Sequence, residues 1–332
     1  MILIVSDEDD GSTTEVINWL NYFGASYFRI NRSSKIEMTH LKIGSDQTVF
    51  SLKIAEAFLP NESRTLHSSE ITAFWYRRGH LNLAHRLLEN RVGEVGKLEH
   101  HLTSYLIEEN KKIIDFLNRY FKAVKHLNSD FDNETNKLHN LTVASGCGLH
   151  VPQSIVTGQK DEFLSFQKAA KCNFITKAID RGSIYIEKTI SMFGHTHLLL
   201  EPEIDKMPET FGLSLFQQYV EKLYDLRIFY INGKFFASAI LSQTNDKTKT
   251  DFRNYDSEKP NRIIRYKLPS EIELKLDRFM KNSDLRSGSI DMVIDKRKEY
   301  YFLEVNPIGQ YSFISNRCNY QLDKVIAEYL AA

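Results

Sequence analysis

The stretch that decides the fold runs from Asp291 to Tyr311, DMVIDKRKEYYFLEVNPIGQY, and has the pattern of two strands joined by a charged turn. Side chains alternate between the two faces of a strand. If Asp295 pairs with Tyr300 across the turn, Asp291 is predicted to lie opposite Glu304. One face then carries the acids. The other is a predicted core face made of Ile290, Met292, Ile294, Tyr301, Leu303 and Val305.

The acidic face of this hairpin is expected to bind a cation. Opposed residues on paired strands have Cβ atoms about 4.5–5.5 Å apart, where two like charges repel unless a cation lies between them. Asn306 follows Glu304 by two residues and adds an amide oxygen on the same face. Asp291, Glu304 and Asn306 are hard oxygen ligands that suit Mg²⁺ with bound phosphate. The alternative is an ordinary hairpin with solvated acids, although Val293 and Phe302 on the predicted acidic face argue against it.

Composition limits the classes of function. Lysine plus arginine, 43 residues, equals aspartate plus glutamate, also 43, so no global charge favours nucleic acid or an anionic membrane surface. The 3 cysteines show no paired spacing and suit a reducing cytoplasm. No apolar run approaches the roughly 20 residues that span a bilayer. We therefore expect a cytoplasmic protein of two or three domains that binds neither nucleic acid nor membrane.

The order of predicted elements places an α/β region before a mixed α+β region. MILIV and ASYFRIN are predicted strands, and the helix between them is expected to start at Ser12 or Thr13 and to stop at Gly24. Strand, helix and strand in this order predict a parallel sheet. A long helix is predicted over about residues 96–121, and the Asn232-Gly233 pair predicts a hairpin in the antiparallel second half.

A phosphate ligand is not supplied by any glycine-rich phosphate loop, because the sequence contains no G-x-x-x-x-G-K-[ST] motif. Two lysines are candidates instead. Lys137 lies near a predicted helix start, and Lys177 lies in the apolar strand FITKAI, where burial is costly without an anionic partner. The alternative for each of them is an ordinary surface lysine.

The segment QQYVEKLYDLR contains the groups that a nucleotide would need. The backbone of Gln218, Tyr219 and Val220 is suited to an adenine edge. Asp225 is suited to ribose hydroxyls, and Arg227 to a phosphate or a carboxylate. Asp225 is equally suited to pair with Arg227. The alternative for this segment is a surface loop with one ion pair.

With these segments in order, the chain resembles the ATP-grasp superfamily, and it is most similar to the graspetide synthetases of grasp-with-spasm systems. The resemblance covers nearly the whole chain and is carried by FWYRR, NKLHNLTVASGCGLHVPQSIVT, DFRNYDSEKPNR, GSIDMVIDKRKEYYFLEVNPIGQ and CNYQLDKVIAEYL. It implies an ATP-grasp fold of three domains. These are an N-terminal pre-ATP-grasp α/β domain (1–125), a central lid-like domain (126–215) and a C-terminal antiparallel-sheet domain (216–332), with ATP between the last two.

The resemblance also assigns roles to individual positions. It implies phosphate contacts from Lys137 and Lys177, an adenine hinge at Gln218, Tyr219 and Val220, a ribose contact from Asp225, and Mg²⁺ ligands Asp291, Glu304 and Asn306. Arg227, Arg253 and Arg262 are expected to hold a substrate carboxylate or its tetrahedral intermediate. The sequence departs from related glutamate ligases at Gln218, where those have Glu, and near Ser242, where those have Arg.

The implied activity is ATP-dependent macrocyclisation of a precursor peptide. Asp or Glu side chains would be activated as acyl phosphates and attacked by a Thr or Ser hydroxyl, giving an ester, or by a Lys amine, giving an amide. The implied partners are a precursor with a leader and a Thr-, Glu- and Asp-rich core, and a second copy in a homodimer. Two alternatives stay open: an ATP-grasp ligase that joins separate molecules, and a nucleotide-binding protein without turnover.

Overall fold

The structure is a computed structural model that describes residues 1–56, 63–83, 97–133, 135–180, 183–187, 190–193, 196–244, 248–249, 252 and 256–332. The chain forms two compact units, Met1–Glu134 with Gln321–Ala332, and Thr135–Tyr320. None of the helices in these described ranges combines the length and the apolar character needed to cross a membrane. The predicted division into domains 1–125, 126–215 and 216–332 stays a prediction.

The first unit contains a parallel sheet and an antiparallel sheet. Its elements are β1 (Ile2–Val5), α1 (Gly11–Tyr22), β2 (Tyr27–Ile30), β3 (Lys35–Ile43), β4 (Thr48–Ala55), β5 (Ser63–His67), β6 (Ala73–Tyr76), α2 (Lys97–Ala123), β7 (Lys125–Leu127) and the C-terminal α8 (Leu322–Ala331). Strands in the order β2-β1-β6-β7 pair in parallel, while β3-β4-β5 pair antiparallel. The predicted strand–helix–strand start and its parallel sheet are confirmed.

The start of α1 differs from the prediction. Asp10, rather than Ser12 or Thr13, is the N-cap, and its carboxylate accepts a hydrogen bond of 3.0 Å from the Thr13 N–H. An aspartate satisfies a free N–H of the first helical turn as well as serine or threonine does. The helix stops before Gly24, whose φ of 66° lies in the left-handed region that favours glycine.

Asp10 also fixes the end of β6 by pairing with two arginines. Its Oδ2 lies 3.3 Å from Arg77 Nε and 3.2 Å from Arg78 Nε. Burial on its own raises the pKa of Asp10, but the two arginines and the hydrogen bonds from Ser12 and Thr13 outweigh it. The net pKa therefore lies below the ordinary value of 3.8. Arg77 and Arg78 thus have a structural role at this sheet edge.

The second unit contains two larger antiparallel sheets and a hairpin. Its elements are α3 (Lys137–Gly146), β8 (Ser154–Gln159), α4 (Lys160–Ala170), β9 (Phe174–Lys177), β10 (Ser183–Glu187), β11 (Ile190–Phe193), β12 (His197–Leu198), α5 (Glu201–Asp205), β13 (Thr210–Gln218), β14 (Lys222–Ile231), β15 (Lys234–Leu241), β16 (Arg262–Tyr266), α6 (Ser270–Asn282), β17 (Ser287–Asp295), β18 (Tyr300–Asn306) and α7 (Ser312–Cys318). The sheets have the strand orders β12-β9-β13-β8 and β16-β15-β14-β17-β18, and β10 pairs with β11. The predicted hairpin turn joins β14 to β15.

The five-stranded sheet has one apolar face and one polar face. Helices α3 and α6 cover the apolar face, where a single core cluster includes Leu141, Leu226, Ile228, Phe279, Ile290, Met292, Ile294, Phe302 and Val305. Because side chains alternate along a strand, Asp225 and Arg227 of β14 and Asp291 of β17 lie on the opposite face. The core therefore fixes the strands that present these charged residues.

The final hairpin contains a β-bulge that the sequence pattern did not indicate. Asp291 lies opposite Glu304, as predicted, but the next pair is Met292 with Phe302, so Leu303 is an extra residue in β18. The predicted pairing of Asp295 with Tyr300 is wrong, because Ile294 pairs with Tyr300. A bulge of this kind leaves one residue unpaired and changes which side chains face each side of the sheet.

The bulge exchanges the predicted faces of the first half of β18. Phe302 packs in the core, with its ring centre 4.7 Å from that of Phe279. Leu303 and Tyr301, which were predicted to be core residues, are outside that cluster, and Leu303 lines a cavity on the polar face. The predictions for Phe302, Leu303 and Tyr301 are therefore wrong, while those for Ile290, Met292, Ile294 and Val305 are confirmed.

Candidate active site

A cavity in the second unit brings together seven of the predicted site residues. Its lining is Ile175, Lys177, Thr196, Gln217, Gln218, Tyr219, Val220, Lys222, Asp225, Phe252, Asp291, Val293, Leu303 and Glu304. Most of the lining comes from β9 and β13 of the four-stranded sheet and from β14, β17 and β18 of the five-stranded sheet. Connecting segments add Thr196, Tyr219, Val220 and Phe252. Residues far apart in the sequence thus form one mixed apolar and charged site.

In the predicted hinge segment, which begins at the last residue of β13, two of the three backbone N–H groups already donate to backbone carbonyls. The Gln218 N–H donates to Gln153 O at 2.8 Å, and the Gln218 side chain accepts from Gln153 N at 3.2 Å. The Tyr219 N–H donates to Asn173 O at 2.7 Å. Within the described part of the chain, the N–H of Val220 makes no such backbone bond. Val220 is therefore the hinge residue best suited to offer an N–H to a ligand.

Asp225 is held by Lys222 and Ser242, both of which lie beside it in the folded chain. Lys222 Nζ lies 2.7 Å from Asp225 Oδ1, and the Ser242 hydroxyl donates to Asp225 Oδ2 at 2.6 Å. Burial raises the pKa of Asp225, and the nearby Asp291 adds to that rise, while Lys222 and Ser242 oppose it. The sequence had left Arg227 as a possible partner of Asp225, and that pairing is wrong.

Arg227 pairs instead with Asp291, its cross-strand neighbour in β17. Arg227 Nη1 lies 2.8 Å from Asp291 Oδ1 and 2.7 Å from Oδ2. Arg227 Nη2 donates to Gln310 O at 3.0 Å, in the loop after β18. Both side chains of the pair are about nine-tenths buried. A predicted metal ligand and a predicted substrate-binding cation are therefore in direct contact.

Lys137 and Glu304 form a second, looser contact between opposite charges. Lys137 is the first residue of α3, and its Nζ lies 3.8 Å from Glu304 Oε2 and 2.8 Å from Asp180 O. Its side chain is more exposed than that of Arg227, at 28% against 10%. Lys137 does not line the cavity itself, but it lies next to an acid that does.

Arg227, Asn306 and Arg262 are also absent from the lining of the cavity. Asn306 is exposed and pairs with Ser289 at the end of β18. Arg262 is exposed at the start of the edge strand β16. Arg253 lies outside the described residues. The lining therefore supports neither Asn306 nor Arg262 as a wall of this cavity.

The oxygen donors fit a hard divalent cation that keeps ligands of its own. Asp291 and Glu304 face one another across the β17–β18 pair. Within the described ranges, no three His, Cys, Asp or Glu side chains gather as a metal site. The predicted set contains only two acids, so phosphate and water oxygens would have to complete the coordination, as is usual for Mg²⁺.

Several lining residues were not among the predicted ones. Lys222 was missed because it is three residues from Asp225, and simple alternation would place the two on opposite faces. A register shift between Lys222 and Tyr224 brings Lys222 to the cavity side. Leu303 was missed because of the second bulge, in β18. Bulges near a site commonly redirect a side chain in this way.

Comparison with known proteins gives a consistent result at the level of fold. No family model matches the sequence, and no curated protein matches it. A Chryseobacterium gregarium RiPP-associated ATP-grasp ligase, solved with ADP and a leader and core peptide, is 22% identical with a TM-score of 0.78, and the match covers 99% of this chain and 96% of that one. The chain has the ATP-grasp fold.

Two macrocyclases of Microcystis aeruginosa MRC share this ATP-grasp fold. MdnC, solved with precursor peptide MdnA, is 23% identical with a TM-score of 0.73 over 99% of both chains. MdnB is 18% identical with a TM-score of 0.69, covering 99% of this chain and 98% of that one. The predicted fold class is therefore confirmed over almost the whole length.

Proposed function

We propose that this chain is an ATP- and Mg²⁺-dependent peptide macrocyclase. The observation that carries the proposal is the cavity in which an adenine-type hinge, Lys177 and the facing acids Asp291 and Glu304 come together. The ATP-grasp fold supports it, because structures of this fold include a ligase with bound ADP and a macrocyclase with its precursor peptide.

The cavity suits a nucleotide with its base at one end and its phosphates at the other. The Val220 N–H and the apolar side chains of Ile175 and Leu303 would receive the adenine. Lys177 would contact the phosphates from the cavity wall, and Lys137 from beside Glu304. Gln218 and Tyr219 complete the proposed hinge, and Asp225 is the proposed ribose contact.

Asp291, Glu304 and Asn306 would hold Mg²⁺. The cation would supply charge neutralisation when two anions, a carboxylate and the γ-phosphate, are brought together. Arg227, with Arg253 and Arg262, is proposed to orient the substrate carboxylate. Fixed cationic donors of this kind stabilise developing negative charge without reorganising during the reaction.

The proposed reaction has two balanced stages. A carboxylate oxygen of a peptide Asp or Glu attacks the γ-phosphorus of ATP, giving an acyl phosphate and ADP. A Thr or Ser hydroxyl, or a Lys amine, then attacks the acyl carbon, loses its proton and releases phosphate. The product is a ring closed by an ester or an amide, and the peptide has lost one water.

The remaining proposals concern the partners, the location and the domains of the protein. We propose a precursor peptide with a leader and a Thr-, Glu- and Asp-rich core, a homodimer, a cytoplasmic location, and domains at 1–125, 126–215 and 216–332. Support for the peptide comes from the Chryseobacterium ligase, solved with leader and core peptide, and from MdnC, solved with MdnA.

The deciding experiment is incubation of the purified protein with ATP, Mg²⁺ and the peptide encoded by a neighbouring small gene, followed by intact mass measurement. We expect a product lighter than the peptide by one water for each ring, with stoichiometric ADP. A product heavier by an amino acid would indicate ligation of separate molecules. ATP binding without peptide-stimulated ADP release would indicate a binding protein. Asp291→Asn is the matched inactive control.

A further inference from the structure

Arg227 contacts both oxygens of the Asp291 carboxylate in this structure. One guanidinium nitrogen of Arg227, Nη1, lies within 2.8 Å of both carboxylate oxygens of Asp291. The two side chains are each about nine-tenths buried, so water screens the pair poorly. Asp291 is also a proposed metal ligand, so one carboxylate has two competing cationic partners.

The position of Arg227 is fixed by the surrounding backbone as well as by Asp291. Nη2 donates to Gln310 O at 3.0 Å. A Cβ atom at Gly309 would lie 3.0 Å from Nη2 and 2.6 Å from Ser289 Cβ, so only glycine lets the loop come this close to the arginine. The guanidinium is therefore held in place by Gln310 O, by the close approach of the loop at Gly309 and by Asp291.

We propose that Arg227 and the divalent cation compete for the Asp291 carboxylate, so that metal binding makes Arg227 available to the substrate carboxylate. The inference rests on the proposed function. A divalent cation on the Asp291 oxygens and a guanidinium in contact with the same oxygens repel each other strongly in a buried site. When the cation binds Asp291, Arg227 loses its anionic partner. A peptide Asp or Glu carries the same carboxylate group and can replace Asp291 as that partner.

This competition predicts an order of binding. Until the metal and nucleotide bind, Asp291 occupies Arg227 in the way that a substrate Asp or Glu would. Metal–nucleotide therefore binds first, and the acidic side chain of the peptide engages second. The contact between Glu304 and Lys137 is longer than that between Asp291 and Arg227, at 3.8 Å, and more exposed.

Lys222 supplies a matched control for simple removal of positive charge. It lies on the same strand as Arg227 and is similarly buried, and its ion pair is also 2.7 Å long. Like Asp291, it lines the cavity. Its partner is Asp225, which is not a proposed metal ligand. Loss of Lys222 changes the local charge by the same amount without releasing Asp291.

The test measures Mn²⁺ affinity by electron paramagnetic resonance in the presence of a non-hydrolysable ATP analogue. It compares the wild type with Arg227→Met and Lys222→Met. We expect Arg227→Met to bind Mn²⁺ about 10-fold more tightly than the wild type, as competitive coupling predicts, and Lys222→Met to change affinity much less. Equal effects of the two substitutions, or unchanged or weaker binding by Arg227→Met, would overturn the proposal.

Folding of each variant is checked by its thermal melt. If Arg227→Met does not fold, Arg227→Lys decides the question, because it keeps the charge but loses part of the contact with Asp291. It should bind Mn²⁺ more tightly than the wild type, and unchanged affinity would overturn the proposal. Failure of the wild type to bind Mn²⁺ with the analogue would instead refute the proposed function, and the inference with it.

Discussion

Lys222 and Asp225 form a buried ion pair on the cavity wall, with the ammonium nitrogen 2.7 Å from the carboxylate. Removing one member leaves the other charge buried and unpaired, which typically costs about 3–5 kcal/mol. We expect Lys222→Met to lower the free energy of unfolding by about 3 kcal/mol, measured by urea denaturation.

Lys296 provides the comparison for this stability measurement. It pairs with Glu221 at the same distance, 2.7 Å, but both side chains are largely exposed. Exposed pairs contribute little, so Lys296→Met should leave the urea midpoint almost unchanged. Similar losses in Lys222→Met and Lys296→Met would contradict the importance of burial at this site.

The facing acids of the final hairpin should be essential for turnover. We expect Asp291→Asn and Glu304→Gln each to lower peptide-stimulated ADP formation by at least about 10²–10³-fold, the usual effect of removing a preorganised electrostatic group. Glu299→Gln, in the exposed turn of the same hairpin, is the control and should retain activity. Full activity in either variant would contradict the proposal that Asp291 and Glu304 bind Mg²⁺.

Gly309 should tolerate no side chain, because a Cβ there would lie 2.6 Å from Ser289 Cβ. We expect Gly309→Ala to cost about 1–3 kcal/mol of stability, as overpacking usually does, and to disturb Arg227. Gly212→Ala is the matched control, since nothing lies within 4 Å of a Cβ at that position. Thermal melts of the two variants should separate clearly, and coinciding melts would refute the close approach.

The lowered pKa of Asp10 predicts a contribution to acid unfolding of the first unit. An aspartate with a folded-state pKa below its unfolded value stabilises the fold above that unfolded value, here 3.8. The stabilisation is lost as the pH falls through 3.8 and then through the lowered folded-state pKa.

We expect Asp10→Asn to flatten the dependence of unfolding free energy on pH in this acidic range. The measurement is urea unfolding at a series of pH values below 5, and the exposed neighbour Asp9→Asn serves as the control. An unchanged slope in Asp10→Asn would mean that the pair with Arg77 and Arg78 contributes no pH dependence.

Local patterns predicted the first parallel strands, the final hairpin and the central acid pair. The apolar alternation of β17 placed Ile290, Met292 and Ile294 in the core. Asp291 lies opposite Glu304 as predicted, but only because the bulge at Leu303 cancels the one-residue error in the predicted pairing at the turn. These features depend on residues close together in the sequence, where strand periodicity is informative.

The ion pairs and the bulges could not be predicted in the same way. Arg227 selects Asp291 over Asp225 because the β14–β17 register sets it directly opposite, and that register is a tertiary property. The bulge at Leu303 depends on Phe302 fitting against Phe279 of α6, which lies elsewhere in the chain. The alternation of apolar and polar residues along a strand does not reveal where a bulge exchanges the two faces.

The extra residue in β18 also limits how this strand can vary. Because of the extra residue Leu303, Phe302 faces the core while Glu304 faces the cavity. Deleting one residue between Tyr301 and Glu304 would force a choice between burying the acid and exposing the aromatic ring. Insertions and deletions should therefore be accepted in the turn before Tyr300 far more readily than within the strand itself.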